Sequence, residues 1–215
     1  MQLDFYSATA VFAVCCVAGY LVERGWCLLR KGRLESRKSL LYGPFSVAYG
    51  MGGLLLTAVL LRFEGAPGEK IFLAAFAAGT LVEYICSWGQ ELLFHSVAWD
   101  YSGLPLNIHG RVCLLYSLFW GVLGLAWVRF AFPLLYAVAP WLEMLWVRRL
   151  IWAFAIFFAA DAALSACAAL RMGEREKGVP ARTAFGRMLD RRYPDERIRA
   201  VYANSRRVER KLQPD

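Results

Sequence analysis

Residues 83–121, EYICSWGQELLFHSVAWDYSGLPLNIHGRVCLLYSLFWG, decide how the chain is read. The stretch starts inside an apolar run, leaves it through a short polar segment and enters a second apolar run. It holds most of the ionisable groups that a bilayer excludes: Glu83, Glu91, His95, Asp100, His109 and Arg111. At helical spacing Glu83, Ser87, Gln90, Glu91, Phe94 and His95 share one side, while Val82, Ile85, Gly89, Leu92 and Leu93 take the other. A carboxylate in an apolar medium is costly unless it is paired, protonated or hydrated. The stripe is therefore expected to face other helices or a wet cavity. Glu83 and Glu91 stand about 12 Å apart along a helix axis. That is too far to share a proton, so they mark two depths of one stripe.

Outward from this stretch the composition agrees. The chain has 215 residues, 59% of them hydrophobic and 15% aromatic, too apolar for an ordinary soluble domain. Its charge is segregated: 13 of the 25 Lys and Arg lie between Arg171 and Lys211. Basic residues beside apolar spans mark the cytoplasmic side, so no nucleic-acid partner is expected. The six cysteines form no CxxC pair and read as small apolar packing residues. Spacings around His95, Asp100 and His109 are unspecific, and neither a metal nor a cofactor is expected.

The spans follow in order. Residues 5–22 are uncharged and long enough to cross a bilayer. Only Asp4 precedes them with charge, which argues against a cleaved signal peptide. Glu23 either snorkels at the interface or points into the bundle. The loop Arg30–Lys38 carries five basic residues against Glu35 and is expected in the cytoplasm, with the N-terminus outside. A second span covers 40–62. Gly43-Pro44 opens it, and Ser46, Gly50, Gly53 and Thr57 form a small-residue face for close helix approach. A turn at 63–70 leads to a third span, Ile71–Phe94, and the polar segment 99–111 lies inside. A fourth span begins near Val112. Residues 133–147, with Tyr136, Trp141 and Trp146, read as an external interfacial stretch. The last span, Leu150–Leu170, holds Asp161 among alanines. Expected, then, is an all-α integral membrane bundle of five transmembrane helices over residues 1–172. A basic cytoplasmic tail, 173–215, follows, with short amphipathic helices around Phe185, Met188 and Leu189 and around Ile198, Val201 and Tyr202.

LLYGPFSVAYGMGG at 40–53 and the LVEY, WDYS and FWG elements of 81–121 resemble the bacterial CmpB-like family of ABC-transporter type IV permeases. The resemblance covers roughly residues 15–170 as a layout of spans. It implies that the family's characteristic positions fall here on Glu23, Tyr42, Gly43, Pro44, Tyr49 and Gly50, on Glu83, Ser87 and Glu91 in the third span, and on Trp99, Asp100, Tyr101, Ser102, Asn107, Gly110 and Arg111 in the polar segment. Ser117, Trp120 and Gly121 complete the set. Ser36–Ser39 departs from the family's usual Asn-Arg-Gly.

The chain has no GxxxxGK[ST] motif, so it does not hydrolyse ATP by a P-loop. The resemblance implies a transport-related subunit of the cell's inner membrane that works with a separate ATPase subunit, or as a homo-oligomer, in the lipid bilayer. Its polar centre would combine Glu83, Glu91, Asp100 and Arg111. Two other classes stay open. One is a membrane-embedded enzyme acting on a lipid or amphiphile at the cytoplasmic interface, although no catalytic constellation is recognisable by spacing. The other is a non-catalytic subunit whose polar groups only hold helices together.

Overall fold

The computed structural model describes residues 3–94, 96–203 and 205–207. His95 lies outside the described residues. Helix α1 runs Phe5–Lys31. Asp4 and Ser7 form a reciprocal capping box at its start, and hydrogen bonds from Ser7 hold the Asp4 carboxyl below its ordinary value. Gly32, at φ 65°, closes it with its N–H on the Leu28 carbonyl. Helix α2, Val47–Leu60, continues into a 3-10 turn, Leu61–Phe63. Helix α3 spans Gly68–Phe94.

Helix α4, Leu114–Ala126, passes through a π-helical turn, Trp127–Ala131, into α5, Phe132–Leu142. The stretch expected as interfacial from residue 133 is therefore, as far as Leu142, a continuation of the fourth helix. Pro133 lacks an N–H and would break an α-helical register here; the π turn directly before it shifts that register and lets the helix go on. After Glu143 and Met144, α6 runs Leu145–Glu176. It starts before the expected Leu150 and ends after Leu170. Helices α7, Ala184–Arg192, and α8, Asp195–Val201, follow. The chain is not purely helical. Two-residue strands β1 (Ser96–Val97) and β4 (Arg206–Arg207) pair antiparallel, as do β2 (Asn107–Ile108) and β3 (Val112–Cys113).

Among the described residues four helices are long and apolar enough to cross a membrane: Phe5–Lys31, Gly68–Phe94, Leu114–Leu142 and Leu145–Glu176. Val47–Phe63 is a shorter apolar helix. Only 11% of the apolar window of Leu114–Leu142 and 17% of that of Leu145–Glu176 is covered within the chain. Apolar surface left open on that scale needs lipid or another apolar partner.

Close packing comes from the small residues. A Cβ on Gly79 would meet the Trp120 ring at 2.1 Å, and one on Gly124 would meet the Ala75 Cβ at the same distance. The α3–α4 hairpin thus closes through glycine. On the Ser46–Gly50–Gly53–Thr57 face the two glycines meet Cys16, Phe12 and Cys15 of α1, while Thr57 Oγ1 accepts from Trp127 Nε1 at 3.0 Å.

The linker from Gly32 to Ser46 is irregular and runs back along α1, where the Ser46 N–H donates to the Cys16 carbonyl at 2.9 Å. Irregular backbone at that depth must be satisfied by protein. Asp161 on α6 does this, accepting from the N–H groups of Tyr42 (3.2 Å to each oxygen) and Gly43 (2.8 Å), while Ser165 Oγ accepts from Leu41 N–H at 2.9 Å. Ser165 Oγ itself donates to Asp161.

Candidate functional site

Glu83 sits on the face of α3 that meets α4. One carboxylate oxygen accepts from the Tyr101 hydroxyl at 2.7 Å and the other from Trp120 Nε1 at 3.2 Å. Three elements thus meet on one side chain: α3, the loop before β2, and α4. Tyr101 also stacks on Tyr116 of α4, with ring centroids 4.6 Å apart. Burial first, and then the Glu83 carboxylate, push the Tyr101 phenol well above its ordinary range, so it stays a donor. One turn away, Thr80 Oγ1 donates to Ser117 Oγ at 2.7 Å and ties the same two helices.

Nearer the end of α3, Glu91 Oε2 lies 2.7 Å from Arg111 Nη2. The Arg111 guanidinium also covers the Tyr84 ring, 5.7 Å from its centroid, and Tyr84 OH is 2.9 Å from His109 Nδ1. Nε and Nη1 of Arg111 are buried and have no hydrogen-bond partner among the described residues. A guanidinium fork with two buried, unmatched donors is a strong recognition element for an acceptor oxygen.

The loop that carries these groups is built for its shape. Asp100 Oδ1 accepts from the N–H of Ser102 at 2.9 Å and from its hydroxyl at 2.6 Å, an Asx turn. Asn107 Nδ2 donates to the Leu104 carbonyl at 2.8 Å, and its Oδ1 accepts from Gly110 N–H at 3.0 Å. Trp99 Nε1 donates to the Arg111 carbonyl at 2.9 Å. The turn between β2 and β3 has His109 at φ 54° and Gly110 at φ 67°. A Cβ on Gly110 would also lie 2.5 Å from Ser102 Oγ, so backbone and space both demand glycine here. Leu106, at φ 53°, is held in a left-handed conformation that costs about 1–3 kcal/mol.

The residues expected from sequence therefore divide. Glu83, Tyr101, Trp120, Glu91 and Arg111 come together along α3. Trp99, Asp100 and Asn107 shape the loop over them. Ser117 joins α4 to Thr80, and Ser87 is buried on α3. Glu23 and Tyr49 belong to the α1–α2 side. Glu23 faces Arg37 and Ser46, and the Tyr49 ring lies on Gly19. Tyr49 stands within electrostatic reach of both Glu23 and Glu83. Sequence reasoning missed Thr80, Tyr84 and Tyr116. Thr80 sits one turn before Glu83, and Tyr116 one turn before Trp120, so helical spacing alone would have placed both on the shared face. Among the described residues no group of three His, Cys, Asp or Glu forms a metal-binding cluster.

Neither curated proteins nor solved structures gave a match to this chain. Residues 10–166 match the family described as "Putative ABC-transporter type IV". The matched segment contains α2, α3, α4, α5, the whole Glu83–Arg111 network and Asp161, so the chain belongs to that ABC-transporter type IV family.

Proposed function

We propose that the chain is the multi-pass subunit of an ABC-type transport system in the cell membrane, driven by a separate ATPase. The family match over residues 10–166 carries this reading. Five helices cross, Val47–Phe63 being the short one, with the N-terminus outside. Arg30, Lys31, Arg33, Arg37 and Lys38 and the basic tail then share the cytoplasmic face. The extended Gly32–Ser46 linker supplies the depth that the short helix lacks.

Within the polar centre the roles differ. Both Glu83 oxygens are already bonded, one to the loop through Tyr101 and one to α4 through Trp120, which favours a bracing role. Arg111 keeps two buried donors open beside Glu91 and is the group to meet an acceptor on a transported molecule. The test is affinity purification of the full chain from its native membrane, followed by ATP hydrolysis and transport after reconstitution of whatever complex is recovered. A stoichiometric ATPase is expected with it; a chain that purifies without nucleotide hydrolysis under every mild detergent overturns the reading. In the active complex, Arg111→Lys should abolish transport with melting unchanged, and Glu83→Gln should lower melting with activity tracking the folded fraction. Full transport by Arg111→Lys removes Arg111 from the site.

A further inference from the structure

Helices α7 and α8 carry a depression of about 440 Å³ lined by Met188, Arg191, Arg192 and Arg197. Leu189, Tyr193 and Ile198 are buried against Leu41 and Ala168, which fixes both helices to the end of the helical bundle. Two of the three guanidinium groups have tyrosine neighbours. Arg192 stands beside the hydroxyls of Tyr42 and Tyr193, which lie 2.7 Å from each other. Arg197 lies 5.1 Å above the Tyr193 ring and donates to the Arg192 carbonyl at 3.0 Å. Arg191 is exposed, and among the described residues it has no ion pair.

The neighbouring carboxylates do not neutralise this cluster. Asp190 is bonded to Arg171 at 2.8 Å and to Arg175 at 2.7 Å, and Asp195 is bonded to Arg175, so both are turned to α6. Glu196 does not line the depression. Three arginines therefore line one depression, and among the described residues none of them has an ion pair. Planar forks converging from two helices match the several oxygens of a phosphate better than a single carboxylate. Phe185 is half exposed one turn before Met188, which places apolar surface beside the charged hollow.

We propose that this depression binds a phosphate group, presented either by an anionic phospholipid headgroup at the membrane surface or by a soluble phosphate compound. The site is separate from Arg111 and does not rest on the transport reading.

The test uses the full chain in mixed micelles with phosphatidylglycerol, with phosphatidylcholine as control, and in a second arm with inorganic pyrophosphate. Two double variants are compared: Arg191→Ala with Arg197→Ala, and Arg182→Ala with Arg187→Ala, which removes equal charge from the tail outside the hollow. The first pair should weaken binding of the preferred probe by roughly tenfold or more, and the second pair should not. Phosphatidylglycerol as the preferred probe identifies the lipid source; pyrophosphate identifies the soluble one. Equal loss in both pairs means diffuse charge alone and overturns the site, as does unchanged binding in the first pair. Should the alanine pair unfold, Arg191→Lys with Arg197→Lys keeps the charge, removes the forks and should still weaken binding.

Discussion

Asp161 accepts from the backbone of two successive residues, Tyr42 and Gly43, and from Ser165 Oγ. It is 3% exposed. Its bond to the Gly43 N–H is buried, and there the carboxylate takes water's place. Asp161→Ala would strand the two donors in apolar surroundings. That substitution should destabilise the protein by about 2–4 kcal/mol in reversible unfolding from detergent micelles, and unchanged stability would refute the cap. The sequence showed that Asp161 sits among alanines, but not what it holds. Its partners are backbone groups more than a hundred residues earlier, and backbone donors leave no mark in composition. Glu91 and Arg111 were easier to read because both partners are charged and flank one short polar segment. Tyr101 on Glu83 lay between these cases. The acid was conspicuous, whereas its donor came from an irregular loop whose path spacing does not predict.

At the scale of elements, the α3–α4 hairpin depends on glycines at chosen places. Trp120 can reach Glu83 only because its ring lies where a Gly79 side chain would be. Gly79→Ala should therefore cost about 1–3 kcal/mol by overpacking and loosen the Trp120–Glu83 bond, visible as a shift in tryptophan emission. Gly89, on the same helix, has open space around it. Gly89→Ala should be neutral or stabilise by about 0.5–1 kcal/mol. Equal melting temperatures for the two variants would remove this account. Apolar periodicity revealed the long helices, but not the irregular entry to α2. Gly43-Pro44 marks a break before α2, but the contact of Leu41, Tyr42 and Gly43 with α6 has no signature in the sequence. The continuation through Trp127–Ala131 was hidden for a related reason. Arg129 and Pro133 look like a stop, and a π turn overcomes it only in the folded helix.

At the scale of the whole molecule, the last helices are tied back to the bundle by Asp190, which joins Arg171 and Arg175, and by Tyr193 against Tyr42. Hydrogen bonding from Arg171 leads in holding the Asp190 carboxyl down, from an ordinary 3.8 to about 2. A folded-state value below the unfolded one stabilises docking at pH above the unfolded value, and that contribution is lost as pH falls through the folded one. The tail should thus stay docked at neutral pH and loosen between about pH 4 and pH 2, as read by spin-label distances between α6 and α8. Asp190→Asn should loosen it already at pH 7. A distance independent of pH in the native chain and of this substitution would remove Asp190 from the latch.

The tie between Asp161 and the Gly32–Ser46 linker also orders events during synthesis. A ribosome makes Leu41, Tyr42 and Gly43 long before it makes Asp161 and Ser165. Until α6 emerges, those amides have no acceptor but water or lipid headgroups, and they are held at the membrane surface. The linker can sink beside α1 only once the final long helix has arrived. A nascent chain arrested before residue 161 should therefore expose Leu41 to aqueous labelling, whereas the finished protein buries it.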